Sequence, residues 1–437
     1  MLQDEVADRL KKARQPYQVP NANSAKITLA VWDRKTDAIA LVEAIKSGTD
    51  LAIVSGPRLP IRVTYSGKLY SRYGLPPETD SMVVGVIYPV TEKKAVARKK
   101  YVYEATDTVY VPYSPDFYTP EMLSAGSDYL SFLIQDAYDD LREKGIRSRA
   151  FPDKLLVDVI DPYLVKSIAV IEHSDHQSFL AEEDPESTVG RFLVKLATNR
   201  EAAFGESISG AGAAGLVQFI PSTYALMVKK RPDLGLVPDF RAGMSDHRNA
   251  VKAQVAYLDM DLAGMQDVRE IFLTDKARAA EYLAASYNGG SVRVRRAAAA
   301  FGDEWSRSHK KELDRAQSDA AALKKRIASL QKQLDKGVKG SRVALAEAKK
   351  QRDAAVAQIA SFKRSSLREE TVYYVVKLKH AYAMFTAGYF ATPRAPSGAL
   401  PATAAPVAAA PAEPARVAAA PAAGAICFDD GGCAAMN

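Results

Sequence analysis

Cysteine is almost missing from this 437-residue chain, which has only Cys427 and Cys433. They flank FDDGG, a turn-prone stretch short enough for a disulfide hairpin in an oxidising compartment, but one such pair cannot staple a whole fold. Two thiols with no nearby His do not fill a four-ligand zinc site. Histidine is scarce too, at five. His173 and His176 in EHSDH are within reach of one metal on a helix, yet no HExxH pattern exists and Asp175 is the only adjacent extra ligand, so helix-end capping is the expected role. No metal and no cofactor is expected. No apolar run reaches about 18 residues, so no transmembrane helix is expected. The start, MLQDEVADRL, is charged from its third residue and shows no apolar signal core, which fits either a cytosolic protein or a processed form carrying an initiator Met. Finally, no dense basic block is interleaved with aromatics. The 59 basic and 52 acidic residues leave a formal charge of +7, so nucleic acid is not an expected partner, whereas another anionic polymer is steered equally well.

What is present is a globular composition, 47% hydrophobic and 25% charged, long enough for two or three domains. Residues 1–115 alternate short β-rich runs (KITLAVW, DLAIVSG, PIRVTY, SMVVGVIYPV) with one expected helix, DAIALVEAIKSG, and read as a small mixed α/β module of unreadable role. Helical patterning takes over from Thr119, where TPEMLSAGSDYLSFLIQDAYDDLREKG has Pro120 in its first turn and a Gly stop. In residues 303–364 the positions Ala316, Ala320, Leu323, Ile327, Leu330 and Leu334 step by four and three. After KGVKGS, Leu345, Ala348, Arg352, Ala355, Ile359 and Phe362 step by three and four. Two heptad-like stripes around a Gly-containing turn describe an antiparallel coiled-coil hairpin with a charged outer surface, either a structural arm or a docking arm for a protein partner. Residues 391–437 are a Pro/Ala-rich tether ending in the Cys hairpin, since frequent Pro prevents a stable helix.

The densest irregular segment is ESISGAGAAGLVQFIPSTY, residues 206–224. Gly210, Gly212 and Gly215 suit a tight loop that another backbone or a ligand can approach closely. The apolar run LVQFI that follows is expected to be a short helix stopped at Pro221.

The segment SGAGAAGLVQFIPSTY resembles the S-x-x-G-A-x-G-L-M-Q-x-M-P-x-T signature of the lytic transglycosylase domain of the lysozyme superfamily, with Val217 and Ile220 in place of its two Met. YLAASYNGGSVRV is similar to that family's ALAAYNAG element through Ala285, Tyr287, Asn288 and Gly290. Its E-T-x-x-Y-V element is matched by Glu370, Thr371, Tyr374 and Val375. The resemblance covers roughly residues 155–385, with the hairpin inserted between the second and third elements. It implies a mainly α lysozyme-like catalytic domain in 116–302, closed by a helix in 365–390; with the hairpin inserted and the α/β module in front, the expected fold is α+β and multidomain.

The family's catalytic acid is a Glu at the C-terminal end of a helix before the Gly-rich loop. Asp161 and Pro162 make an N-cap and first-turn pair, and PYLVKSIAVIEHSD runs about three turns to Glu172. Glu201 competes, because it stands eight residues before Ser209, near the family spacing, and EAAF resembles the family's E-S-x-F. A catalytic acid must stay protonated near neutral pH, which apolar surroundings achieve. Ile168, Ala169 and Ile171 surround Glu172, whereas LATNRE looks solvated, so Glu172 is preferred, Glu201 is the alternative and Glu206 stands third. The resemblance further implies that Ser209, Gln218, Tyr287, Asn288 and Glu370 bind substrate, that Tyr287 contacts the sugar or holds the acid, and that Asn249 caps or orients helices. The implied activity is cleavage of peptidoglycan glycan strands in the periplasm or cell envelope. Its rivals are a goose-type muramidase and a non-catalytic peptidoglycan-binding scaffold, for which Val217 and SYNGG leave room.

Overall fold

The computed structural model describes residues 24–97, 100–174, 179 and 185–390, with backbone alone over 91–97 and 100–105. The chain start, Asp175 and His176, and the tether with Cys427 and Cys433 lie outside the described residues.

The first described elements are strands: β1 (Ser24–Asp33), β2 (Ala38–Ser47), β3 (Asp50–Ser55), β4 (Arg62–Tyr65), β5 (Arg72–Gly74), β6 (Ser81–Ala97) and β7 (Lys100–Tyr110). Five of them form one antiparallel sheet in the order β3-β2-β1-β6-β7, and β4 and β5 make a separate two-stranded ribbon. The expected helix DAIALVEAIKSG is therefore a correction: it is β2, paired with β1 on one side and β3 on the other. Both of its faces are covered, Val42 and Ala44 by the core with Ile61 and Val63, Ile39 and Leu41 by the core with Ala30 and Met82. A strand apolar on both faces loses its alternation and reads as easily as a helix. The described part of this module departs from the mixed α/β expectation, because residues 24–110 hold strands and two 3₁₀ turns, with no α-helix among the described residues.

The remainder is helical: α1 (Pro120–Glu143), α2 (Leu156–Val159), α3 (Pro162–Glu172), α4 (Pro185–Asn199), α5 (Pro221–Lys230), α6 (Phe240–Ser245), α7 (His247–Ala263), α8 (Gln266–Thr274), α9 (Lys276–Gly289), α10 (Ser291–Phe301), α11 (Lys310–Asp335), α12 (Ser341–Ser365) and α13 (Glu369–Thr386). The molecule is thus mostly helical with an antiparallel sheet at its N-terminal side, an α+β architecture. Caps written in the sequence set the helix starts. The Thr119 side chain accepts from Met122 N–H ahead of Pro120, and Asp161 accepts from Tyr163 N–H ahead of Pro162. Gly126 lets α1 pack directly on α4, for a Cβ there would lie 2.0 Å from the Leu193 carbonyl oxygen.

One apolar core joins α1, α3, α4, α7, α9 and α13, and α7 is buried along most of its length. Asn249 on α7 ties this core to its periphery: its Oδ1 accepts from Val237 N–H, and its Nδ2 donates to Tyr224 Oη and the Gly243 carbonyl. The sheet meets the helices at the end of α4. There Asn199 accepts from Val111 N–H at 2.7 Å and donates to the Val111 carbonyl at 3.0 Å. Tyr70 Oη accepts from Glu206 N–H at 3.0 Å.

Helices α11 and α12 pack along one another, joined by a short turn. The twelve stripe positions from Ala316 to Phe362 are buried or half-buried, and most residues between them are exposed. At the foot of this hairpin the rings of Phe301, His309 and Phe362 stack, with His309 3.8 Å from Phe301 between centroids. Among the described residues no helix is long and apolar enough to cross a membrane.

Candidate active site

Three segments distant in sequence meet at the C-terminal end of α3. The helix stops on Glu172, with His173 as its C-cap. Tyr374 on α13 donates to Glu172 Oε1 at 2.7 Å. Lys377, one turn further along α13, is 1% exposed, and its ammonium donates to the Ile171 and Ser174 carbonyls at 2.9 Å each. Those carbonyls sit at the C-terminal end of α3, that of Ile171 in its last turn and that of Ser174 just past the His173 cap, where a cation also suits the helix dipole.

Burial pushes the half-buried Glu172 carboxyl up from its ordinary 4.5 to about 7. The Tyr374 hydrogen bond and the Lys377 charge pull the other way, and the nearby charge of Glu370 pushes further upward. The net effect is an acid that keeps a substantial protonated fraction at neutral pH, which is what general acid catalysis requires. His173 is no rival for that proton. Burial drops its imidazole to about 3, leaving it neutral with Nε2 3.0 Å from the Leu216 carbonyl and its ring 4.0 Å from that of Phe204.

The Gly-rich segment forms the adjoining wall. Contrary to expectation, LVQFI is not a helix: residues 215–218 turn, Ala214 bridges to both Ile208 and Phe219, and Pro221 starts α5 instead of stopping a helix. Proline lacks only a donor that the first helical turn never uses, so it is tolerated at that position. Gly215 has φ +73°, and a Cβ on it would stand 2.2 Å from the Met244 carbonyl oxygen. Only glycine satisfies both demands at position 215. Gln218 also takes positive φ, 50°, and its Nε2 donates to the Gly215 carbonyl at 2.8 Å.

Tyr287 on α9 holds this turn beside the acid. Its hydroxyl donates to the Val217 carbonyl at 2.7 Å. Its ring lies 5.6 Å from both Phe219 and Tyr257. Burial, followed by the charge of Glu172, raises its phenol well above the ordinary range. Asn288 accepts from Thr371 Oγ1 at 2.8 Å, stitching the SYNGG element to the Glu370-Thr371 element.

The structure thus brings Glu172, Tyr287, Glu370, Tyr374 and the Val217–Gln218 turn together. Glu201 is elsewhere. It is exposed on a 3₁₀ turn after α4, and its charge acts on Tyr129 and His247. Glu206 is engaged by Arg241 at 2.9 Å. Ser209 is exposed at the outer end of the loop, with its hydroxyl accepting from Ala213 N–H at 3.0 Å. Tyr374 and Lys377 were not singled out from sequence for the acid, although Tyr374 stood inside a recognised element and Lys377 follows it by three residues on the same helix. Asp261, a second half-buried carboxyl pushed to about 7, gave no sequence signal at all. Among the described residues no cluster of His, Cys, Asp and Glu could hold a metal.

The helical core closes on the Glu172 carboxyl beside a Gly-shaped turn. Residues 186–309 match the family model of the transglycosylase SLT domain, and the chain accordingly carries a lytic transglycosylase-type domain, of a family that acts on peptidoglycan. The match takes in the Gly-rich turn and the SYNGG element, and ends one residue before α11. It begins after Glu172 and includes Glu201. No curated protein matches the chain.

Proposed function

We propose that the protein is a lytic transglycosylase that cleaves the β-1,4 bond between N-acetylmuramic acid and N-acetylglucosamine, with Glu172 as its single acid and base. The observation that carries this reading is the Tyr374 hydrogen bond to a carboxyl whose pKa burial has raised to about 7. Protonated Glu172 donates to the glycosidic oxygen as the bond to the muramic C1 breaks. The resulting carboxylate then takes the proton of the muramic 6-hydroxyl while that oxygen bonds to C1. The product is a 1,6-anhydro sugar, no water is consumed, and Glu172 ends protonated as it began.

Tyr374 orients the carboxyl and stabilises it while it is charged. Lys377 holds the last turn of α3 in place. Gln218, Tyr287 and Glu370 face the glycan beside the acid, while Ser209 and Asn288 shape the loop and the helix junction that carry them. The spacing of the α11 and α12 stripes supports an antiparallel coiled coil inserted into this domain, and a peptidoglycan substrate places the protein in the cell envelope or periplasm. Mass spectrometry of soluble muropeptides tests the reaction type: anhydro ends support it, whereas reducing ends mean that water attacks and the enzyme is a muramidase. A folded protein that binds the polymer and releases nothing is a scaffold.

A further inference from the structure

The formal charge of the chain is concentrated in one place. Residues 324–353, the distal half of the α11–α12 hairpin, contain ten Lys or Arg and three Asp or Glu, a net of +7 that equals the charge of the entire chain. The other 407 residues sum to zero. Nine of the ten cations are exposed, and among the described residues Arg352 alone of the ten lies in an ion pair, with Asp353 at 2.7 Å. Lys324, Lys325 and Arg326 on α11 sit level with Lys349 and Lys350 on α12, since Arg326 and Gln351 line the same groove between the helices. The arm is anchored at the catalytic side. Ser308 donates to Glu369 at 2.5 Å at the start of α13, next to the Glu370 whose charge acts on Glu172. From that foot, the 26 residues of α11 extend about 39 Å.

We propose that this basic arm is a second binding site for the substrate polymer, gripping the free carboxylates of peptidoglycan peptide stems while the cleft works on the glycan. The proposal rests on the peptidoglycan reading of the domain. Residues 324–353 contain no aromatic residue, so the arm offers neither the stacking platform of a single-stranded nucleic-acid site nor the Trp and Phe anchors of a bilayer-seated helix. Charge is what it presents, and a long array of exposed cations matches a polymer carrying regularly spaced carboxylates. Two weak points of attachment on one polymer reinforce each other through effective concentration, so the arm retains the enzyme on the wall between cuts.

The test compares the full chain with a variant carrying Lys324→Gln, Lys325→Gln, Arg326→Gln, Lys349→Gln and Lys350→Gln, all at exposed positions outside the cleft. Binding is read by co-sedimentation with purified sacculi, and thermal melting confirms that the variant folds. We expect the variant to bind about tenfold or more weakly at low ionic strength, with the difference fading in high salt. It should turn over short soluble glycan fragments like the wild type and intact sacculi more slowly. Sacculi whose carboxylates have been amidated should bind both proteins alike. Equal sedimentation of the two proteins on untreated sacculi overturns the proposal. So does loss of binding to phosphatidylglycerol vesicles with sacculus binding intact, which would assign the arm to a membrane. Failure of the wild type to cut soluble fragments contradicts the enzymatic reading, and sedimentation still reports on the arm.

Discussion

Tyr374 Oη and Glu172 Oε1 are joined by a 2.7 Å hydrogen bond across 202 positions of sequence. The bond closes α13, the last described helix, over the end of α3. It favours the charged carboxylate, opposing the burial that favours the neutral acid. Removing it with Tyr374→Phe should raise the proton affinity of Glu172. The high-pH limb of the kcat/KM profile should then move up by about one unit, with turnover at the optimum reduced as the carboxyl loses its orientation. An unmoved limb would separate Tyr374 from the ionisation of the acid.

The same raised pKa has a cost in stability. The folded state holds the Glu172 proton more tightly than the unfolded chain, so its contribution is fully present below pH 4.5 and is lost as pH rises toward 7. A shift from 4.5 to about 7 corresponds to at most about 3 kcal/mol. Glu172→Gln, which carries no charge to desolvate, should match the wild type in melting temperature near pH 4.5 and melt higher above pH 7. Parallel melting curves across that range would contradict the desolvated carboxyl.

Lys377 makes a third prediction separable from the first. Lys377→Met keeps the bulk of the side chain but removes the ammonium donor from the Ile171 and Ser174 carbonyls and deletes a positive charge that favours ionised Glu172. Stability should fall by about 1–3 kcal/mol, and the high-pH limb should move upward. Lys377→Arg keeps the charge and should hold the limb in place even if the larger group costs stability. A limb that stays put in the Met variant would reduce Lys377 to a packing role.

The turn makes a prediction of its own. Gly215→Ala imposes a positive φ on alanine and drives its Cβ against the Met244 carbonyl, whereas a Cβ at Gly210 meets nothing within 4 Å. Gly215→Ala should lower stability by about 2–4 kcal/mol and abolish turnover. Gly210→Ala should change little. Equal melting temperatures for the two variants would show that the turn tolerates what its geometry forbids.

Much of this was legible in the chain. Thr119-Pro120 and Asp161-Pro162 announced α1 and α3 because capping is a local interaction, and the heptad-like steps of Leu323, Ile327 and Leu330 marked the residues that α11 turns away from solvent. Ala38–Ser47 was misread because a strand covered on both faces carries no alternation, a matter decided by neighbours far away in sequence. LVQFI was misread because its backbone follows from packing of Gly215 on Met244, which no propensity records. Lys377 was passed over because a lysine in a helical pattern ordinarily faces water. Only the Ile171 and Ser174 carbonyls at the end of α3 explain why this one is buried.

The family match spans Glu201 and leaves out Glu172, while the hydrogen bonds and desolvation converge on Glu172, so the identity of the acid is the central claim to test. The most direct measurement is digestion of purified peptidoglycan by the wild type, Glu172→Gln and Glu201→Gln, with released muropeptides identified by mass spectrometry. The account predicts 1,6-anhydro products from the wild type and from Glu201→Gln, and none from a folded Glu172→Gln. Anhydro products that persist in Glu172→Gln and vanish in Glu201→Gln would contradict it.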